Sequence, residues 1–335
     1  MNYLVLIYGI VSFIVTYFTT PWLIKYLKRI ELLVKDQNKK DKPLVPISGG
    51  LAVLVGVFGG LLLFIFYRTF FFESRSGLII NDKNLMLIFA SMISLLIITL
   101  IGFLDDLVIK RSKDNSIGLR QWQKPLLTLA AAVPLMVINA GSKEMWLPFI
   151  GTVNMGIIYP LILIPIGVVG ASNMVNMLAG FNGMEAGMGI IYVGMLGLYA
   201  YINKSYIGAI ISLVVLFSLM AFYLYNKYPA KILAGDSLTY FLGGFLAIIA
   251  IVGNLEKAAI ISSIPFFIEF ILKARHKFNA KSYGYYKNGK IQSWHKDKIY
   301  SLPHLFTRTG KFTEKQIVCF MIIIQLVFSS MIWLV

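Results

Sequence analysis

The sequence predicts an all-α polytopic membrane protein with about ten transmembrane helices, both termini outside and its active-site loops on the cytoplasmic face. Three observations carry this. First, 58% of the 335 residues are hydrophobic and only 14% are charged, where an average soluble domain has about 25% charged residues. Second, the apolar residues occur in runs of about 20, the length that crosses roughly 30 Å of hydrocarbon. Third, the basic residues gather in alternate loops.

The first run, 3–28, is too long and too basic at its far end for a cleaved signal peptide, so it reads as a first membrane helix. Further spans are expected at 45–67, 85–104, 125–140, 156–172, 187–202, 206–225, 236–253, 257–273 and 316–334. No repeat, low-complexity tract or linker divides the chain. Residues 1–335 therefore read as one integral membrane domain, whose longest polar stretch is the loop 274–315 between spans nine and ten. A single cysteine, Cys319, excludes an intramolecular disulfide and a cysteine-built metal site.

Lysine and arginine outnumber aspartate and glutamate by 31 to 15, which in a soluble protein would point to nucleic acid. Here the excess encodes topology, the expected partner is the bilayer, and no nucleic-acid partner is expected. The odd-numbered loops hold 22 basic residues and the even-numbered loops 6, so the odd loops are expected in the cytoplasm. Those loops also contain nearly every polar feature that lacks a bland explanation.

The first such feature is Asp105-Asp106, directly after an apolar run. Two neighbouring carboxylates at a membrane face repel unless a divalent metal or a cationic partner compensates, and a solvated helix end is the alternative. Downstream, Arg120 and Lys124 stand where they can hold an anionic substrate, although basic residues commonly flank spans. The second feature is the segment from Asn173 to Gly189, NMVNMLAGFNGMEAGMG, which contains no lysine or arginine. Its glycines, at 180, 183, 187 and 189, allow close ligand approach, and Asn173, Asn176 and Asn182 supply amides suited to a metal or a uracil edge. The third is Asp236, after Gly235 at the start of the eighth span, where a carboxylate either caps the helix or serves a ligand. Together Asp105, Asp106 and Asp236, with the asparagine segment, suit a magnesium ion bound by oxygen donors and substrate phosphate, with manganese a possible substitute.

At these three motifs the sequence resembles the polyprenyl-phosphate N-acetylhexosamine-1-phosphate transferase superfamily over nearly its whole length. NMLAGFNGMEAG followed by YPAKILAGDS is similar to the eukaryotic and archaeal branch, the UDP-N-acetylglucosamine:dolichyl-phosphate N-acetylglucosamine-1-phosphate transferases. Bacterial branches usually carry N-x-x-D-G-x-D-G, whose aspartates are replaced here by Ala179 and Asn182. The resemblance implies that N-acetylglucosamine (GlcNAc) 1-phosphate passes from UDP-GlcNAc to dolichyl or another polyprenyl phosphate, releasing UMP. It also implies that Asn176 and Asp236 bind magnesium with the diphosphate, that Lys124 holds the diphosphate, and that Gly180 and Asn182 surround the uracil. Asp105 and Asp106 match the family's acidic pair, and Lys39 with KPLVPISGG matches its first cytoplasmic segment. Ile47 and Leu233 depart from residues common in eukaryotic members, an acidic one and an aromatic one against uracil.

Eukaryotic relatives use a Pro-Arg-His-Arg segment near the loop 274–315 for the sugar and diphosphate. This chain offers Arg275, His276, His295, His304 and Arg308 as candidates, without a unique alignment. Compact loops and the branch resemblance favour an archaeal plasma membrane over the endoplasmic reticulum, and a homodimer is an open arrangement. A bacterial-type transferase for another UDP-amino sugar is the nearer alternative. A transporter or lipid flippase is the further one, and the lack of matched polar breaks on the opposite face argues against it.

The basic asymmetry makes a topological prediction. Cysteines introduced at Ser116 and Ser293 are expected to react with an impermeant thiol reagent only from the cytoplasm, and one at Ser74 only from outside. Labelling of Ser74 and Ser116 from one side would overturn the ten-span topology.

Overall fold

The computed structural model describes residues 4–71, 82–111, 118–147 and 151–334. Of the labelling positions named above, Ser74 and Ser116 lie outside the described residues, and Ser293 is buried, so exposed Asn288 is the better probe of its loop.

Among the described residues the chain begins with three long apolar helices, α1 (Leu4–Arg29), α2 (Gly50–Phe71) and α3 (Asp82–Arg111). A shorter apolar segment follows, made of α4 (Gln123–Thr128), a 3-10 turn at Leu129–Ala132 and α5 (Val133–Val137). A π-helical turn at Tyr159–Leu163 leads into α6 (Ile164–Met177), and α7 (Met184–Ile202), α8 (Tyr206–Asn226) and α9 (Gly235–Gly253) come next. The chain closes with α10 (Glu256–Ser262), α11 (Ile264–Ala274), the single turn α12 (His304–Thr307) and α13 (Glu314–Ser330).

Eight of these helical segments are long and apolar enough to cross a membrane. The protein is thus an all-α polytopic membrane protein. The predicted spans 125–140 and 257–273 take a different form from the other eight. In the first, Pro134 lacks an amide hydrogen and crowds the preceding turn, and the helix tightens to 3-10 geometry just before it. In the second, Pro265 stands in the first turn of α11, and the helix is broken at Ser263.

Among the described residues three antiparallel strand pairs lie between the helices: β1 (Leu33–Lys35) with β2 (Leu44–Pro46), β3 (Glu144–Leu147) with β4 (Gly151–Asn154), and β5 (Tyr285–Lys287) with β6 (Lys290–Gln292). The last gives the loop 274–315 a folded core. Asn288 and Gly289 both have positive φ, 48° and 80°, as a tight two-residue hairpin turn requires.

α9 is the centre of the fold and is buried along nearly its whole length. It packs between α3 and α6, and small residues let the backbones approach. A Cβ on Gly102 of α3 would lie 2.3 Å from the Asp236 carbonyl oxygen, and one on Gly243 of α9 would lie 2.4 Å from the Ala171 carbonyl oxygen. On the other flank, α1, α2 and α8 are joined by small and hydroxylic residues. The Thr16 and Ser218 hydroxyls are 2.7 Å apart, and Ser12 donates to the Val214 carbonyl at 2.9 Å.

The close approach of α3 and α9 has a measurable consequence. Gly102→Ala is expected to lower stability by about 1–3 kcal/mol, the usual cost of overpacking, seen as a reduced melting temperature in detergent. Gly167→Ala, where an added Cβ meets nothing within 4 Å, should leave it unchanged or slightly raised. Equal behaviour of the two variants would mean that the α3–α9 contact is slack.

Candidate active site

The polar features singled out in the sequence converge where α3, α4, α6 and α9 end together. Asp236, in the first turn of α9, sits there because Gly235 adopts φ 70° and passes close to Asp106. A Cβ at Gly235 would come within 2.5 Å of Asp106 Oδ2. Asp106 itself is fully buried. Its carboxylate accepts the Asp236 N–H at 2.8 Å, the Ser237 N–H at 3.2 Å and the Ser48 hydroxyl at 2.7 Å. It therefore neutralises the amide end of α9 and ties it to the first interhelical segment.

Asp105 is equally buried and points to the other side. It accepts the Leu119 N–H at 2.6 Å and forms an ion pair with Lys124, Nζ to Oδ2 at 2.6 Å. Lys124 Nζ also reaches Asp236 Oδ2 at 3.2 Å. One ammonium thus bridges two carboxylates from different helices. Asn176, at the end of α6, donates its amide to Asp236 Oδ2 at 3.4 Å and accepts the Thr239 hydroxyl at 2.9 Å.

Lys124, Asn176, Asp236 and Thr239 line one end of a cavity of about 1910 Å³. From there an apolar groove runs along α6, α9 and the α10–α11 segment, past Leu163, Ile166, Leu246, Ala250 and Ile260. Its far end is marked by Tyr159, whose hydroxyl donates to Glu256 at 2.5 Å. The fifteen residue-to-residue steps along α9 from Asp236 to Ile251 correspond to about 22 Å of groove.

A second polar cluster adjoins the first. Gly180 donates its N–H to Glu185 at 2.7 Å and accepts from the Asn38 amide at 2.6 Å. Asn182 lines the cavity, together with Gly180, Phe181, Ile47 and Leu233. Lys39 does not line it. Its ammonium is enclosed by Asp36 at 3.1 Å, Asn182 at 2.9 Å and Glu314.

The candidates from the loop 274–315 are not gathered at the cavity. Arg275 and Arg308 are exposed, and neither they nor the three histidines line it. The walls contributed by this loop instead include Asn279, Lys281, Ser282, Tyr283 and Trp294. His276, His295 and His304 pack against one another, with ring centroids 5.3 Å apart for the first two and 5.1 Å for the last two. His304 is fully buried, accepts the Tyr300 N–H at Nδ1 and donates from Nε2 to the Lys281 carbonyl at 2.8 Å. Both ring nitrogens are occupied by the loop itself, so neither is left for a sugar. The loop is also fastened to α11 by buried Glu269, which accepts the Ser301 hydroxyl and the Leu302 N–H, each at 2.7 Å.

Ser48, Thr239, Glu269 and Glu314 were not legible as site residues in the sequence. Glu314 opens α13, and its place as the first acidic residue after a capping threonine suggests a helix start rather than a site.

A family model for glycosyl transferase family 4 matches residues 87–254. A protein of Saccharolobus solfataricus is 37% identical over 92% of this chain and 89% of its own length. The chain belongs to glycosyl transferase family 4. The Saccharolobus protein, and a Sulfolobus acidocaldarius protein 32% identical over 97% of this chain and 94% of its own length, are both named for UDP-N-acetylglucosamine–dolichyl-phosphate N-acetylglucosaminephosphotransferase activity. A Staphylococcus epidermidis phospho-N-acetylmuramoyl-pentapeptide-transferase is 30% identical over 79% of this chain and 82% of its own length. The matched segment of this family member includes Asp105, Asp106, Lys124, Asn176, Gly180, Asn182 and Asp236.

The histidine cluster predicts a pH response. Burial pushes the His304 imidazole down from 6.5 to about 4, and the nearby His295 and Lys273 charges act in the same direction. The unfolded chain therefore binds this proton more tightly, so stability is full above about pH 6.5 and falls as pH drops toward 4. The melting temperature in detergent should decline across that window, and less steeply in His304→Gln. An equal slope in both proteins would assign the acid loss to other groups.

Proposed function

We propose that this chain transfers GlcNAc-1-phosphate from UDP-GlcNAc to dolichyl or another polyprenyl phosphate, giving a GlcNAc-diphospho-lipid and UMP. The observation that carries the reading is the Lys124 bridge between Asp105 and Asp236, beside Asn176, at the head of a long apolar groove. The names of the two archaeal relatives support the same donor and acceptor.

A phosphate oxygen of the lipid attacks the phosphorus that carries GlcNAc. A new phosphorus–oxygen bond forms, the bridge to the uridine phosphate breaks, and UMP leaves with the electron pair. The nucleophile is already anionic, so positioning and charge neutralisation matter more than a general base. Lys124 is ion-paired with both carboxylates, is partly exposed and lines the cavity, where it would hold the diphosphate and stabilise the leaving UMP. Asp105 orients Lys124, and Asp106 orients Asp236 through the backbone of α9. Neither carboxylate offers a free oxygen to the cavity, so both act as positioning residues. Asn182 and Gly180 would meet the uracil, and the groove would take the isoprenoid.

The donor set suits magnesium. Asp236 supplies a carboxylate, and Asn176 Oδ1 keeps a lone pair besides the one that accepts Thr239. A site with one or two protein oxygens, completed by substrate phosphates, is the ordinary one for this ion. When bound, the ion would draw negative charge from the diphosphate. With the active site in a cytoplasmic loop cluster, the enzyme would act at the inner face of an archaeal plasma membrane.

The deciding measurement is UMP release by purified protein in detergent, expected only when UDP-GlcNAc, a polyprenyl phosphate and magnesium are all present. Asp236→Asn and Asn176→Ala should each lower turnover at least about 100-fold, the scale of losing preorganised electrostatic stabilisation, while the protein still folds and melts cooperatively. A well-folded variant with near-normal turnover would remove that residue from the site. Absence of UMP release with several lipid lengths, combined with nucleotide-sugar uptake into sealed vesicles, would favour a transporter.

A further inference from the structure

The groove that leaves the polar head has a closed far end and an open side. At the far end Tyr159 is buried against the turn at Gly141, where an added Cβ would lie 2.6 Å from the tyrosine hydroxyl. That hydroxyl is committed to Glu256 at 2.5 Å, and Met145 of the β3–β4 strand pair adds to the wall. A hydrocarbon chain pressed against this pair would desolvate a carboxylate without offering it a hydrogen bond.

Between the two ends, the α6 side of the groove lacks side chains. Gly167 and Gly170 both line the cavity, and a Cβ on Gly167 would meet nothing within 4 Å, while one on Gly170 would meet only the Met174 methyl, at 3.9 Å. Glycines of membrane helices ordinarily serve close helix packing, as Gly102 and Gly243 do here. At Gly167 and Gly170 the missing side chains leave space instead. On the open side, Ile166 of α6 and Ile260 of α10 line the cavity and are 63% and 58% exposed, which gives a chain in the groove a lateral way out.

These positions set a length. Gly167 lies nine helical steps from Asn176, or about 13 Å, and the whole groove is about 22 Å long. An isoprene unit adds four chain bonds, each advancing an extended chain by about 1.2 Å, so one unit occupies about 5 Å.

We propose that the groove reads the length of the acceptor's isoprenoid over about its first four units, with the Tyr159–Glu256 pair as its stop and Gly167 and Gly170 as the bed of the branched chain, and that later units turn out past Ile166 and Ile260 into the bilayer. The inference rests on the reading that the lipid phosphate meets the polar head. A chain that moves from bilayer to groove exchanges one hydrocarbon surrounding for another, so the selection comes from van der Waals contact and amounts to a small factor per unit.

The test is kcat/KM of the full chain for polyprenyl phosphates of two, three, four, six and eight units, each at equal mole fraction in mixed micelles with UDP-GlcNAc and magnesium. The wild type should gain at least about fivefold from two units to four, and less than about twofold from four to eight. Gly167→Leu places a side chain where the third unit would lie. Its value for four or more units should fall to within about twofold of its value for two, while the two-unit acceptor keeps at least about half its wild-type value, a split that general damage to the fold would not produce. If Gly167→Leu does not fold, Gly170→Leu, six steps from Asn176, is the second plug and should abolish the same gain. Equal kcat/KM at every length, a rise that continues evenly to eight units, or folded plug variants with the wild-type profile would overturn this inference while leaving the transferase reading intact. Absence of UMP release at every length would overturn both.

Discussion

Everything at the head of the groove depends on one ammonium held between two carboxylates. Lys124 lies between Asp105 on α3 and Asp236 on α9, and its side chain is 23% exposed, whereas Asp105 is fully enclosed. An unpaired carboxylate in that position would carry a large desolvation cost, and removing the lysine would leave two. The pair therefore fixes the relative heights of α3, α4 and α9. It also leaves the ammonium partly open on the side where a phosphate can arrive. Asp106 completes the constraint from below, because it grips the first amides of α9 and so sets where the Asp236 side chain begins.

The helices can meet this closely only because their packing is small at the crossings. Gly102 against the Asp236–Ser237 backbone, and Gly243 against Ala171, bring α3 and α6 onto α9 without intervening side chains. The same α9 supplies Asp236 and Thr239 at its start and Leu246, Ala250 and Ile251 farther along. A polar head and an apolar tail are thus built on one rigid element, which suits an acceptor whose two ends differ in the same way.

Most of the architecture was legible in the sequence because hydrophobic length is a strong signal. The eight long helices fall on predicted spans, and the other two predicted spans coincide with helices that Pro134 and Pro265 interrupt. Asp105, Asp106, Lys124, Asn176 and Asp236 could be singled out because charge and amide groups at span ends are unusual. What could not be read was which of the two acidic neighbours faces which partner, since that depends on helix rotation. The loop 274–315 was harder still. Its histidines drew notice as reactive types, yet they form the inside of a small folded unit, whereas Trp294, Tyr283 and Lys281 face the cavity. The one local signal there was Asn288-Gly289, which announces a hairpin. Glu314 was hidden for a different reason, since its partners lie 132 and 275 positions away in the chain.

On the proposed reading, the groove along α6, α9 and α10–α11 also sets how the two reactants are found. A water-soluble nucleotide sugar arrives by diffusion in a volume, and an isoprenoid phosphate arrives by diffusion in a sheet. With separate approaches, neither has to vacate its route for the other. Turnover of such an enzyme follows the surface density of its lipid, in molecules per unit area, as much as any bulk concentration. Dilution of a membrane with inert lipid would slow it at constant total substrate, while dilution of the surrounding water would leave the acceptor side of the reaction untouched.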